Sequence, residues 1–127
     1  MVKEGKTGTK GISTASKKAK ARNLQQWVRD KLLHYAPSLE KDDVRSTSMG
    51  AGGEDVQFSP AARKLYPISI ECKSRANYAF YKDYDQSVIN CPDGCEPVLV
   101  CKANHRNPVV IIDADWFFRN FPKRIRK

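Results

Sequence analysis

The sequence predicts a single α/β (α+β) domain in which helices flank a central mixed β-sheet. Two segments show apolar residues at three- and four-residue spacing, which is typical of amphipathic helices. Several shorter segments have alternating or continuous apolar residues, which indicates strands. Both periods occur within 127 residues, of which 40% are hydrophobic, and this favours one small core of helices packed on a sheet.

The first predicted helix covers residues 22–35. Leu24 and Val28 lie on its apolar stripe, Asn23 is a candidate N-terminal cap, and Pro37 prevents the helix from continuing. A polar connection follows at residues 38–54. It leads to two predicted strands at 55–58 and 68–73, a helix at 78–90, two further strands at 97–101 and 108–112, and a last helix at 113–121.

Two of these elements carry a more detailed prediction. The helix at 78–90 is expected to turn its apolar side chains toward the sheet, because an amphipathic helix buries its apolar face. These side chains are Phe80, Tyr84, Val88 and Ile89. The polar residues 104–107 are expected to join the two following strands as a hairpin.

The net charge of +9 is concentrated at the two ends of the sequence. Residues 1–22 hold seven lysines and arginines against one glutamate, and residues 123–127 hold four with no acidic residue. Basic ends around a near-neutral body suggest a polyanion as partner, because neutralised phosphates release counterions. We therefore expect a flexible basic arm at 1–21, one folded domain at 22–122 and a basic tail at 123–127. The candidate phosphate contacts in the arm are Lys17, Lys18 and Lys20.

The sequence also bears on the compartment of the protein. It has no run of about 18 apolar residues, so no membrane span is predicted. The N-terminal residues lack the apolar stretch of a signal peptide, which favours an intracellular protein. Its four cysteines are then expected to be mostly reduced thiols.

The residues that suggest chemistry are Asp55, Glu71 and Lys73. In an alternating strand, Glu71 and Lys73 point to one face while Ile70 and Cys72 point to the core. Pairing of the two strands could bring Asp55 beside Glu71, where two carboxylates repel unless a cation lies between them. Their oxygens suit Mg²⁺ or Mn²⁺, and the lysine could orient or deprotonate a water that attacks a phosphodiester. Alternatively, Glu71 and Lys73 form an ordinary surface ion pair that contributes little.

The context of these residues resembles the PD-(D/E)XK nuclease superfamily. Its most specific parts are GGEDV at residues 52–56 and IECK at 70–73, preceded by RSTSM at 45–49 and separated by SPAAR at 59–63. The sequence is most similar to small phage-type nucleases and, more distantly, to archaeal Holliday-junction resolvases. The resemblance covers residues 22–118.

The resemblance implies a restriction-endonuclease-like core and metal-dependent hydrolysis of DNA phosphodiester bonds. It implies that Asp55, Glu71 and the carbonyl group of Cys72 bind the metal ion, and that Lys73 is the catalytic lysine. Gln86 matches a polar position on the following helix that supports the site. Ser46 and Ser48 lie where resolvase-like members of the family have a small hydroxyl residue near the scissile phosphate. The arginines that flank the site as candidate phosphate contacts are Arg45, Arg63 and Arg75.

The sequence departs from the family pattern at two points. Glu54 stands where the motif's name has proline, and we expect its side chain to face solvent. The first helix often supplies a glutamate to the metal site in this family, but the matching positions here are Gln25 and Gln26. A second strong metal site is therefore in doubt; the alternative is that Glu54 substitutes for the missing glutamate, and the number of metal ions, one or two, stays open.

The resemblance further implies a branched or junction DNA substrate and a phage or bacterial source. Resolution of a four-way junction needs two symmetric cuts, so a homodimer is expected. Two alternatives remain open. One is a non-catalytic DNA-binding protein that retains the nuclease fold. The other is a zinc-stabilised module, for which the candidate ligands are Cys91, Cys95, Cys101 and His105.

Overall fold

The computed structural model describes residues 14–48 and 52–125, with side chains up to residue 120. In these ranges the helices α1 to α4 span Thr14–His34, Pro60–Leu65, Phe80–Ile89 and Ala114–Ile125. The strands β1 to β5 span Val44–Ser46, Val56–Phe58, Ile68–Ser74, Glu96–Lys102 and Val109–Ile111, and a 3-10 turn at Lys41–Asp43 precedes β1.

The strands form two small sheets. β1 and β2 pair antiparallel, while β3 pairs parallel with β4 and β4 pairs antiparallel with β5. A backbone hydrogen bond from the Asp55 N–H to the Ile70 carbonyl oxygen, 3.1 Å long, links the two sheets. The predicted mixture of helices with a mixed sheet is thus confirmed, although the strands are divided between two sheets.

The core lies between α1 and the sheets. Leu24 and Val28 of α1 are 2% and 5% exposed, and they pack with Val44, Val56 and Ile70 from the first three strands. Each fully buried aliphatic side chain of this kind contributes roughly 1.5–3 kcal/mol. The apolar stripe predicted for α1 therefore anchors the helix.

The first helix is longer than its predicted extent. α1 begins at Thr14, so Asn23 lies inside the helix and is not its cap, and residues 14–21 of the expected flexible arm are helical. This segment consists mostly of alanine and lysine, which are strong helix formers even without apolar residues to bury. Residues 1–13 of the expected arm and residues 126–127 of the expected tail lie outside the described residues.

The connection between α1 and β3 contains elements that the sequence analysis missed. Strand β1 is only three residues long, too short to show a period. Helix α2 begins after Ser59, whose hydroxyl oxygen accepts the Ala62 N–H at 3.1 Å, and Pro60 occupies its first turn. The same hydroxyl donates to Asp43 at 2.6 Å. A serine cap followed by proline favours a helix start, although no helix was predicted at this segment.

The predicted orientation of the second amphipathic helix was wrong. The residues of α3 that are buried against the sheet are Asp83 and Ser87. Phe80 and Val88 are about half exposed and Ile89 is 74% exposed, while Tyr84 is partly buried. Asp83 forms an ion pair with Arg75 at 3.0 Å, which allows its carboxylate to be buried.

The C-terminal hairpin agrees with its prediction, whereas the last helix continues to Ile125, four residues beyond its predicted end and into the expected basic tail. β4 and β5 form the expected hairpin, and His105 in its turn has a positive φ of 60°. Asp113 accepts the Trp116 N–H at 2.8 Å and so caps α4. Across the two described stretches of chain, we find no helix with the length and apolar character needed to cross a membrane.

The Tyr78 hydroxyl should contribute measurably to the stability of the β3–β4 pair. Its O–H points between the carbonyl oxygens of Lys73 and Lys102, and its oxygen accepts the Arg75 and Lys102 N–H groups at 3.0 and 2.9 Å. We expect Tyr78→Phe to lower the free energy of unfolding by about 1–3 kcal/mol, because these backbone groups lose a partner. Urea denaturation measures the loss.

Tyr81→Phe is the matched control, since Tyr81 is 88% exposed. It should leave the unfolding midpoint unchanged. Equal midpoints for the two variants would show that the Tyr78 hydroxyl does not hold the strands together.

Candidate active site

Asp55 lies at the junction of the two sheets. Its carbonyl oxygen accepts the Thr47 N–H at 2.9 Å, while its own N–H donates to Ile70. The carboxylate reaches across to β3, where Oδ2 accepts the Cys72 N–H at 2.7 Å. Gly53, two residues earlier, has a φ of 86°, a conformation that glycine adopts without strain. Asp55 is therefore held against β3 by both its backbone and its side chain.

Glu71 and Lys73 lie on the face of β3 opposite Cys72, whose side chain is in the core. The Lys73 Nζ is 3.5 Å from Glu71 Oε2. The Glu71 side chain is only 10% exposed and the Lys73 side chain 24%, because α3 covers this face. The arrangement is thus a partly buried ion pair, in contrast to the freely solvated surface pair that was the alternative.

The other carboxylate oxygen of Glu71 has a partner that the sequence analysis missed. Asn90, directly after α3, donates from Nδ2 to Glu71 Oε1 at 3.2 Å. A polar residue at a helix end ordinarily indicates a cap, so the sequence contains no signal for this contact. Gln86, the predicted supporting residue on the same helix, is exposed. Asn90 is therefore the α3-terminal residue that orients Glu71.

The electrostatics of Asp55 indicate a site suited to a cation. The pKa of its carboxyl group is raised from 3.8 to about 6, mainly by burial and to a smaller extent by the nearby negative charge of Glu71. The Cys72 N–H and the positive charge of Lys73 oppose this rise in pKa. A carboxyl group with a pKa displaced by burial and a charged neighbour is characteristic of functional sites. A divalent cation would favour the ionised form of both carboxylates.

The donor set fits a hard divalent metal ion. Asp55 and Glu71 offer carboxylate oxygens, and Cys72 between Glu71 and Lys73 offers a backbone carbonyl oxygen. Within the described ranges no group of three or more histidine, cysteine, aspartate or glutamate side chains is placed to hold a metal. Mg²⁺ commonly binds through one or two carboxylates and takes its other ligands from water and substrate phosphates, so two carboxylates suffice.

A polar contact between α1 and β1 positions one of the predicted hydroxyl residues. Ser46 donates to Gln25 Oε1 at 2.9 Å, and Gln25 is 5% exposed. Ser48 is exposed at the end of the same segment. Both serines and Arg45 line a cavity of about 450 Å³ between α1 and β1. The first helix thus contributes a neutral amide that holds Ser46.

Two of the three predicted phosphate-binding arginines have carboxylate partners. Arg63 holds Glu54 with two hydrogen bonds, 2.7 and 3.1 Å long, and donates to the Ile68 carbonyl oxygen at 2.6 Å. Glu54 is therefore not turned to solvent as expected, since its side chain is only 14% exposed. Arg75 is paired with Asp83, whereas Arg45 is exposed. On α1, Lys17 and Lys18 are exposed and Lys20 is partly buried.

The cysteines are all free thiols. Cys91 donates from Sγ to the Cys95 carbonyl oxygen at 3.2 Å. Cys101 is buried in β4, and His105 is exposed in the hairpin turn. These four candidate zinc ligands do not form a cluster in the described part of the chain.

The raised pKa of Asp55 predicts how stability depends on pH. The folded protein binds this proton more tightly than the unfolded chain, for which the ordinary value is 3.8. The contribution of Asp55 to stability is therefore greatest below pH 4 and is lost as the pH rises through 6. An asparagine at this position does not ionise, so Asp55→Asn should not lose stability in this way. We expect the free energy of unfolding of the variant, relative to that of the wild type, to rise by up to about 2 kcal/mol between pH 4 and pH 7.

Urea unfolding at pH 4, 5, 6 and 7 measures this difference. Asp93→Asn, at an exposed turn residue, is the control and should keep the wild-type pH dependence. A constant difference between Asp55→Asn and wild type over this range would show that the carboxyl group has an ordinary pKa.

Comparison of the chain with known protein families, with curated proteins and with solved structures finds no match. The evidence for function is therefore the arrangement of these side chains.

Proposed function

We propose that the protein is a divalent-metal-dependent DNA endonuclease of the PD-(D/E)XK type with a restriction-endonuclease-like core. The observation that carries this proposal is the hydrogen bond between Asp55 Oδ2 and the Cys72 N–H. It holds a carboxylate from one sheet against the strand of the other sheet that presents Glu71 and Lys73. A second carboxylate and a lysine at this position are groups that metal-dependent phosphodiester hydrolysis can use.

The proposed metal ligands are Asp55, Glu71 and the carbonyl group of Cys72. Mg²⁺ or Mn²⁺ bound there would polarise the phosphodiester and lower the pKa of a bound water. Asn90 holds one oxygen of Glu71, which fixes the direction in which the other oxygen points. Glu71 therefore needs little reorganisation to act as a ligand.

Lys73 supplies the positive charge of the proposed reaction. Its ammonium group would orient the attacking water and stabilise the negative charge that develops on the phosphorane. Its contact with Glu71 restrains the flexible side chain beside the reacting phosphate. Ser46, held by Gln25, would contact a neighbouring phosphate oxygen together with the exposed Ser48 and Arg45.

DNA is the proposed substrate because the cavity that contains Lys73 is also lined by Lys17, Lys20 and Arg75. We further propose branched or junction DNA as substrate, a homodimer as the active form and an intracellular location in a bacterial host. Two symmetric cuts in a junction require two sites related by a twofold axis, which supports the dimer. Free thiols suit a reducing compartment.

A non-catalytic DNA-binding protein is the second candidate function. The observation that favours it is the neutral amide of Gln25, which is hydrogen-bonded to Ser46 and stands at a first-helix position where the family pattern has an acidic ligand. A site with fewer anionic ligands holds a metal more weakly. Metal-independent binding without cleavage would identify this function.

Cleavage assays test the nuclease directly. Supercoiled plasmid and a four-way junction are each incubated with the protein in Mg²⁺, Mn²⁺ or EDTA. We expect metal-dependent cleavage that falls by at least about 100-fold in Lys73→Ala, Asp55→Asn and Glu71→Gln, since each variant removes a group that acts on the reacting phosphate.

The matched controls are Lys64→Ala, at an exposed lysine of α2, and Asp93→Asn. Both should cleave at the wild-type rate. Folded wild-type protein that cuts neither substrate in either metal, yet binds them, would replace the nuclease with the binding protein.

Metal binding should itself depend on the protonation of Asp55. Because its pKa is about 6, the carboxyl group is mostly protonated at pH 5 and mostly ionised at pH 7. We expect Mg²⁺ to raise the melting temperature more at pH 7 than at pH 5, since a ligand that binds only the folded state stabilises it.

Differential scanning calorimetry with and without Mg²⁺ measures this shift, and Asp55→Asn should lose it at both pH values. The same shift in wild type and variant would place the metal elsewhere on the chain.

A further inference from the structure

Two cavities adjoin beyond Lys73, at the ends of β3 and β4. One, of about 580 Å³, contains Lys73 itself. The other, of about 780 Å³, extends to the β4–β5 hairpin. They share Lys20, Ser74 and Asn104, so the space beside the proposed reaction site continues toward the hairpin. We call the larger cavity the hairpin groove; it is lined by Lys20, Trp27, Lys102, Asn104, His105 and Arg106, among others.

The charged residues that line these cavities are all basic, and two of them, Lys73 and Arg75, are paired with carboxylates behind the lining. Their described lining residues include no aspartate or glutamate. The basic residues that line them are Lys17, Lys20, Lys73, Arg75, Lys102 and Arg106. The cavity between α1 and β1 differs, because Asp30 and Asp42 lie among its basic residues. A concave surface lined by one sign of charge attracts a chain of phosphates.

The hairpin groove also contains an aromatic side chain. Trp27 on α1 is 41% exposed, although it belongs to a helix whose neighbouring residues Leu24 and Val28 are buried. Lys31, which lies 5.4 Å from the Trp27 ring centroid, lines a different cavity that Trp27 also borders. Because Trp27 lines the groove and is partly exposed, a ligand in the groove can reach its indole. Aromatic rings beside lysines and arginines are the usual means of binding unpaired bases.

Several contacts hold the walls of the groove in place. The Lys20 Nζ donates to Asn104 Oδ1 at 2.9 Å and so joins α1 to the hairpin. Tyr78 holds the backbone of Lys102 at the end of β4. His105, in the turn, has a φ of 60°, which is uncommon for a residue other than glycine. A groove fixed in this way needs little ordering before it binds a ligand.

We propose that the hairpin groove binds an unpaired nucleotide of the DNA, with its base on Trp27 and its phosphates on Lys20, Lys102 and Arg106. A base within a duplex is stacked on both faces and is not free to contact Trp27. The groove therefore selects DNA with a single-stranded stretch or a branch. Because it adjoins Lys73, the unpaired nucleotide lies next to the phosphodiester that is cut; this last step rests on the proposed nuclease function.

Binding without cleavage tests the groove independently of catalysis. The protein is titrated in EDTA with a fluorescently labelled 12-nucleotide single strand and with the corresponding duplex, and fluorescence anisotropy gives Kd. We expect Trp27→Ala to weaken single-strand binding by roughly 5- to 150-fold and duplex binding much less. Trp27→Phe, which keeps an aromatic ring, should restore most of the affinity and also guards against loss of folding in the alanine variant.

The tryptophan signal provides a second readout. The sequence has two tryptophans, so in a Trp116→Phe protein the emission comes from Trp27 alone. The single strand should quench this emission, and the duplex should quench it less. Arg106→Ala should reduce the dependence of log Kd on log salt by about 0.7, the value for one phosphate contact on a single strand, whereas Lys64→Ala should not.

The outcomes separate the groove from the nuclease. Quenching by the single strand with a selective loss in Trp27→Ala supports the groove, even if Mg²⁺ brings no cleavage and the proposed nuclease fails. Equal affinity of wild type and Trp27→Ala for the single strand, without quenching, would overturn nucleotide binding in the hairpin groove, even if cleavage is observed.

Discussion

The hydrogen bond between the Cys72 N–H and the Asp55 carboxylate is the contact on which the site depends. A buried backbone N–H needs an acceptor, and on an ordinary inner strand a neighbouring strand would provide a carbonyl oxygen. Here β2 begins one residue too late to do so, and the side chain of Asp55 serves instead. The same residue therefore completes the backbone pairing of β3 and brings a negative charge to the middle of the fold. Structure and proposed chemistry share this one carboxylate.

The opposite faces of β3 impose different requirements on the helices that cover them. The face with Cys72 is apolar, and α1 covers it with Leu24 and Val28. The face with Glu71 and Lys73 is polar, and α3 meets it with the side that carries Asp83 and Ser87. Apolar side chains placed there would leave buried charges without partners, which costs more than exposing a few aromatic and aliphatic groups. The polar site thus determines the rotation of α3.

This explains why the sequence predicted some features and not others. Asp55, Glu71 and Lys73 could be identified because strand alternation and a short motif locate them without knowledge of the fold. The orientation of α3 could not, because a hydrophobic pattern carries no information about the face that the helix will meet. Asn90 was missed for the same reason, since its role arises only when a helix end approaches Glu71.

Local signals account for the other differences. The early start of α1 follows from helix propensity alone, which a search for apolar periodicity does not detect. The three-residue strand β1 is defined by its pairing with β2, and no local pattern of that length could establish it. Long elements with a clear apolar pattern were therefore predicted well, while short elements and the orientation of a helix depended on tertiary contacts.

The bidentate pair of Glu54 and Arg63 has a consequence for how an alanine scan of this protein should be interpreted. Arg63 ties the residue before Asp55 to α2 and to the start of β3, so its guanidinium is part of the scaffold. Truncating it would leave a nearly buried glutamate without its counter-ion immediately beside Asp55. The segment that leads into Asp55 would then lose its attachment to α2 and to the start of β3. A basic residue identified by loss of activity would have acted through the position of an acidic one, at a distance from any nucleic acid.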